Sequence, residues 1–163
     1  MGPGIHEIAW GPELRALSLE FGATAEALVF GRKTYEGMAA YWPEADEEGE
    51  IKSYMNALPK LVASRTLTDP AWNNSRAVED IAGELKAMKA RTEKAIYIFG
   101  SGELMRSLLP EGVVDEIRLA LVPVLLGQGT RLFGEGPQVP LRLVSSQPVP
   151  NGTMLLNYAV GVA

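Results

Sequence analysis

The sequence contains no cysteine and a single histidine, His6. Without cysteine there is no disulfide, no thiol nucleophile and no zinc–thiolate site, and a reducing compartment suits the chain. One histidine excludes a multi-histidine metal centre within one chain, so no metal is expected. Long apolar runs are also missing. The longest, Leu119 to Leu126, is interrupted by Pro123 and is far shorter than the roughly 20 residues that span a bilayer. The opening residues carry no charged head followed by an apolar stretch, so no secretory leader is expected and the location is read as cytoplasmic. Positive charge is outnumbered, with Lys+Arg 15 against Asp+Glu 20 and a formal net charge of −5. This argues against a non-specific nucleic-acid or anionic-membrane binder, while a local basic pocket stays open.

What is present is 163 residues with 47% hydrophobic content, suited to one globular domain over residues 1–163. Residues up to Trp10 read as irregular. A helix starts near Pro12, with Leu14, Leu17 and Phe21 on one face and Gly22 ending or bending it. Ala27 to Phe30 reads as a buried strand. Tyr35, Met38, Ala39 and Trp42 recur at helical spacing until Pro43. Glu44 to Glu50 reads as a solvated acidic loop, Ile51 to Leu58 as a helix and Lys60 to Ser64 as a strand. Arg65 to Ser75 reads as loop, with Asp69-Pro70 and Asn73-Asn74 as turn signals. Ile81, Leu85 and Met88 mark a helix, and Ala95 to Phe99 a strand. A further helix runs through Leu104 and Leu108 to Pro110. Three β-rich stretches close the chain: Val114 to Val122, Leu141 to Ser146, and Thr153 to Val160. The last two are joined by a turn at Asn151-Gly152. The alternation predicts an α/β fold: a largely parallel sheet covered on both faces, with antiparallel strands at its C-terminal end.

Two strand-to-helix junctions carry the chemistry. Gly100-Ser101-Gly102, followed by Glu103 and Leu104, combines a tight glycine turn with a serine suited to cap a helix. Helix starts expose unpaired N–H groups and a partial positive charge, which suit a phosphate. The second junction is Gly31-Arg32-Lys33-Thr34, where two cations and a hydroxyl follow the glycine directly. In open α/β sheets ligands sit at the carboxyl ends of strands, so the pair points to a dinucleotide. Gly100-x-Gly102 lacks the third glycine of the full dinucleotide fingerprint. Ser64-Arg65-Thr66, at the end of a third strand, offers a guanidinium for a 2′-phosphate, which favours NADP over NAD. The plainer reading of Arg32, Lys33 and Arg65 is solvated surface.

Several short motifs, in order, resemble one family. They are Phe30-Gly31-Arg32-Lys33-Thr34-Tyr35-Glu36, Tyr41-Trp42-Pro43, Met55-Asn56-Ala57-Leu58-Pro59-Lys60, Ser64-Arg65-Thr66-Leu67, Trp72-Asn73-Asn74 and Gly100-Ser101-Gly102. Val114-Asp115-Glu116-Ile117-Arg118, Pro123 to Gly127 and Arg131-Leu132-Phe133-Gly134 continue the match. Together they resemble the dihydrofolate reductase-like family typified by the reductase domain of bacterial riboflavin biosynthesis. The resemblance implies a three-layer αβα reductase fold that binds NADPH. It implies that Gly31 to Thr34 hold the pyrophosphate and adenosine side, and that Ser64 and Arg65 take the 2′-phosphate. Gly100 to Leu104 would receive the pyrophosphate, with the Gly127 to Gly129 loop nearby. Family members open with an apolar strand beside the nicotinamide. This chain shows no candidate for that strand, so the gap is expected to be filled by rearrangement or by strand exchange in a homodimer.

The proton donor is less well marked. Glu13 lies roughly where dihydrofolate reductases keep a carboxylate, but a first-turn glutamate is favourable in any helix. Tyr41 and Trp42 could line a flat substrate ring or simply pack into the core. Two functions are carried forward. One is an NADPH-dependent reductase of a small heterocyclic (pterin- or pyrimidine-like) or carbonyl substrate. The other is a non-catalytic nucleotide-binding or dimerisation module that keeps the reductase fold. Riboflavin synthesis itself is less expected, because the usual partner deaminase domain is absent from this chain.

Overall fold

Ala27, Leu28, Val29 and Phe30 are all fully buried, and a strand apolar on both faces belongs at the centre of a parallel sheet. In a computed structural model, which describes residues 4–46 and 49–161, this run is the heart of β1 (Ala25–Gly31). Alternate side chains go to opposite faces. Ala27 and Val29 join a core with Leu61, Val78, Ile81, Leu85 and Leu108. Leu28 and Phe30 join a second core with Tyr35, Ile51, Met55, Val62 and Trp72.

The first core lies under α5 (Ile81–Lys89) and α6 (Gly102–Leu108). The second lies under α3 (Arg32–Tyr41) and α4 (Glu50–Ala57). Between these layers β2 (Lys60–Ala63), β3 (Ser75–Val78) and β4 (Ala95–Ile98) flank β1 in the order β3-β2-β1-β4, all parallel. The fold is therefore αβα. Its first element is α1 (Ile5–Ala9), where the sequence predicts irregular chain. The next, α2 (Pro12–Thr24), runs straight past Gly22. A Cβ at Gly22 would overlap the Tyr54 ring, so this glycine admits α4 rather than ending a helix. Nearby the Ser18 and Tyr54 hydroxyls meet at 2.7 Å.

Two further differences concern strands. β3 falls at the end of what reads as a loop in sequence, because only four residues pair and two are partly exposed. The C-terminal strands do not extend the parallel sheet. β5 (Glu116–Leu121), β6 (Leu141–Pro148) and β7 (Met154–Val160) form a separate antiparallel sheet in the order β5-β7-β6. In the acidic stretch, Trp42–Glu44 is a 3₁₀ turn and Asp46 pairs with Lys52. Glu47 and Glu48 lie outside the described residues.

The gap between the sheets is where the resemblance expects a strand. Phe99 N–H donates to Val29 O at 3.0 Å, so the polar groups of Ile96 and Ile98 face the outer edge of β4. Among the described residues no strand pairs that edge or the outer edge of β5. Side chains bridge the gap instead. The Arg118 guanidinium lies 5.4 Å from the Phe21 ring centroid, 6.0 Å from that of Tyr97 and 3.6 Å from Glu20 Oε1. At the other end Asn151 Nδ2 donates to Ile8 O and Ala9 O at 3.1 and 2.9 Å.

Candidate cofactor site

The carboxyl ends of β1, β2 and β3 meet the starts of α3, α5 and α6 around a cleft of about 820 Å³. From β1 and α3 come Gly31, Arg32 and Lys33. From the end of β2 come Ala63, Ser64 and Arg65. Ser101, Glu103 and Leu104 come from the start of α6. Ligand placement at strand ends follows from topology, since helix starts and turn amides gather there.

The two glycine junctions touch. A Cβ at Gly31 would overlap the Ser101 hydroxyl, and one at Gly100 would sit 3.4 Å from Thr34 Cγ2. Gly31 has ordinary extended backbone, φ −73°, so its role is steric. Gly100 and Ser101 are both left-handed, φ 57° and 55°, which turns the chain sharply out of β4. Ser101 Oγ accepts the Leu104 N–H at 3.4 Å, and Ser101 O accepts the Met105 N–H at 3.0 Å. The N–H groups of Gly102 and Glu103 find no acceptor among the described residues. At Gly102 the loop closes in: an added Cβ would lie 2.9 Å from Leu132 O.

The cations differ in availability. Arg32 Nη1 lies 3.2 Å from Glu36 Oε1 in an exposed pair, which binds weakly. Lys33 and Arg65 have no ion-pair partner among the described residues. Ser64 Oγ accepts the N–H groups of Thr66 and Leu67 at 3.2 and 3.0 Å. Its own O–H is left to donate. Such a set suits a phosphate: backbone donors, a hydroxyl and unpaired guanidinium.

Other sequence-predicted residues lie elsewhere. Thr34, Gly100 and Gly102 sit beside the cleft, outside its lining, and the Gly127–Gly129 loop is not part of it. Glu13 Oε2 lies near Gly11, 3.6 Å from where its Cβ would be, close to Asn151 and away from the cleft. Tyr41 is 52% exposed, and its ring meets Trp42 edge-on at 5.1 Å. Trp42 donates from Nε1 to Met38 Sδ at 3.1 Å and packs on the second core. Neither aromatic lines the cleft.

The cleft also contains Glu79, Asp80 and Ser107, which the sequence does not mark as site residues, and Ile81, which it marks only as an apolar helix position. Glu79 and Asp80 follow β3, a strand the sequence does not mark. Asp80 caps α5, its Oδ1 accepting the Gly83 N–H at 2.9 Å. An aspartate directly before the apolar period of Ile81, Leu85 and Met88 is the signal that could have found that junction.

Below the cleft, at the start of β2, Lys60 is fully buried. Its Nζ donates to Asn56 O, Leu58 O and Asn73 O at 3.1, 2.8 and 2.9 Å, and lies 4.5 Å from the Trp72 ring centroid. Burial pushes its pKa down to about 8. All three donors are engaged, so it ties α4 and the Trp72–Asn74 turn to the sheet.

Comparison with known proteins agrees with this architecture. The Bacillus subtilis (strain 168) protein YyaP, described as uncharacterized, is 28% identical over 137 residues, covering 82% of this chain and 73% of YyaP. YwjB of the same organism, also described as uncharacterized, is 27% identical over 116 residues, covering 71% of this chain and 63% of YwjB. A solved structure assigned to riboflavin biosynthesis, from Shewanella sp. PV-4, superposes with TM-score 0.70 at 22% identity. It covers 87% of this chain and 77% of that one. A pyrimidine reductase-like protein from Corynebacterium diphtheriae gives TM-score 0.66 at 16% identity, covering 100% and 87%. The model of the RibD C-terminal domain family matches residues 3–155, and the chain belongs to that family.

Proposed function

We propose that the cleft binds NADPH and that the chain is a reductase of a small heterocyclic, pterin- or pyrimidine-like, or carbonyl substrate. The observation that carries this reading is the contact between the Gly31 and Ser101 turns, with Ser64 and Arg65 on the same cleft. The residues present fit the cofactor. Among the described residues the Glu103 N–H and Lys33 have no partner and could meet a pyrophosphate, while Ser64 and the unpaired Arg65 could meet a 2′-phosphate. Bound NADPH would supply the hydride. The chain's own residues would hold the dinucleotide at fixed strand ends, and Arg65 would select the phosphorylated ribose. In this reading the protein is a cytoplasmic homodimer.

NADPH and NADH titrations followed by nucleotide fluorescence test the reading. NADPH should bind at least about tenfold more tightly, and Arg65→Ala should abolish most of the difference by removing a charge-assisted contact. Equal affinity for both nucleotides overturns the 2′-phosphate assignment. No binding of either overturns the cofactor site. The non-catalytic module remains the second reading, favoured by the open outer edge of β4. NADPH binding without oxidation across a panel of pterin, pyrimidine and carbonyl substrates would select it.

A further inference from the structure

The two ends of α6 have different surroundings. Its first turn lines the cleft already described, and its last turn, with Arg106, faces a second cavity of about 210 Å³. The walls of that cavity are apolar. Leu109 comes from just beyond the helix, Ile117 from β5, Leu141 from β6, and Phe133 and Val139 from the loop between those strands. Ile117 is buried, while Phe133 and Leu141 stay 44% and 41% exposed. An apolar tail lying across them would remove that surface from water. No hydroxyl or imidazole lines the cavity among the described residues, so it is built to bind rather than to react.

Two charged groups set its electrostatics. Arg106 is half-buried, and its guanidinium has no hydrogen-bond or ion-pair partner among the described residues. It lies against Gly134, where an added Cβ would overlap Nη1 and sit 3.1 Å from Cζ. The missing side chain of Gly134 therefore gives the guanidinium its seat. The same loop is held along α6, since Leu132 O would lie 2.9 Å from a Cβ on Gly102. Glu135 also lines the cavity, and no ion pair joins it to Arg106 among the described residues. One unpaired cation beside apolar walls attracts a single negative charge. The nearby carboxylate opposes a second one.

We propose that this cavity binds a small apolar monocarboxylic acid, with its carboxylate on the Arg106 guanidinium and its tail against Ile117, Phe133 and Leu141. Volume sets the size of the tail. A cavity of about 150 Å³ accepts a benzene ring, so about 210 Å³ holds a ring with a short carboxylate arm. The flat guanidinium matches a carboxylate through two parallel N–H···O bonds. A dianion such as a phosphate ester meets Glu135 as well and is disfavoured. The cavity shares no lining residue with the cleft between Gly31 and Arg65. The inference therefore stands apart from the reductase reading and goes beyond it.

Calorimetric titration of the whole chain with phenylacetate tests the site. Binding should saturate at one acid per chain, with a dissociation constant of about a millimolar or lower. Phenylacetamide keeps the ring and loses the charge, and should bind at least about tenfold more weakly. Phenyl phosphate, with its second charge, should also bind more weakly than phenylacetate. Arg106→Met removes the cation at similar length and should bring phenylacetate down to the level of phenylacetamide. Gly134→Ala pushes the guanidinium off its seat and should act in the same direction. Thermal melting reports whether each variant is folded, and if Arg106→Met is not, Gly134→Ala carries the test. No saturation up to about 10 mM overturns the proposal, whether the cavity stays empty or protein from a second copy fills it. Equal affinity for phenylacetate and phenylacetamide overturns it too, as does binding that ignores both variants. Tighter binding of phenyl phosphate would assign the cavity to phosphate ligands and end the monocarboxylate reading.

Discussion

At Lys60 a charge sits where side chains are almost always apolar, and three carbonyls make that tolerable. Its pKa is about 8 in the folded chain against an ordinary 10.5. Between those values the unfolded chain holds more proton than the folded one, so stability rises with pH across that window. Below about pH 8 the full burial cost is present and this contribution is flat. The rise should approach, at most, about 1.4 kcal/mol per pH unit. Urea unfolding at several pH values should show it in the natural chain and lose it in Lys60→Met. Gly31 illustrates another residue-scale cause. Its sequence context suggests a phosphate turn, but the structure gives its smallness a different partner, the Ser101 hydroxyl. The sequence names both residues and cannot tell that they touch, since 70 positions separate them.

At the scale of elements, the start of α6 combines two opposing effects. Ser101 caps the helix through Leu104 N–H, yet pays a left-handed backbone, φ 55°. Ser101→Ala loses the cap and keeps the strain, and should cost about 1 kcal/mol in chemical denaturation. Ser101→Gly loses the cap but relieves the backbone, and should cost less. Elements with strong apolar periodicity are readable in sequence: β1 from four consecutive buried residues, α5 from Ile81, Leu85 and Met88. β3 is not, because Ser75-Arg76-Ala77-Val78 offers one well-buried side chain in four. With β3 unmarked, the sequence gives no sign that Glu79 and Asp80 form one wall of the cleft. α1 escapes for a related reason: its five residues bury Ala9 alone.

For the whole molecule, an acidic chain with net charge −5 keeps Arg32, Lys33 and Arg65 on one cleft. On the proposed function, a dinucleotide held there would bind the folded state and not the unfolded chain. NADPH at about a hundredfold over its dissociation constant should therefore stabilise the fold by about 2.7 kcal/mol. Calorimetric melting with and without NADPH checks this, and NADH at the same concentration should give a smaller rise in Tm.

The sequence by itself determined the αβα class, the buried central strand and the two glycine junctions, because apolar spacing and turn chemistry are local properties of the chain. Tertiary structure alone decided that Gly31 and Ser101 meet, that Glu79 and Asp80 join Arg65 around one cleft, and that β5, β6 and β7 form a sheet of their own. Those facts depend on which strand edges find partners across long stretches of chain. Pairing across space is set by register and packing, and neither is written in the neighbourhood of a residue.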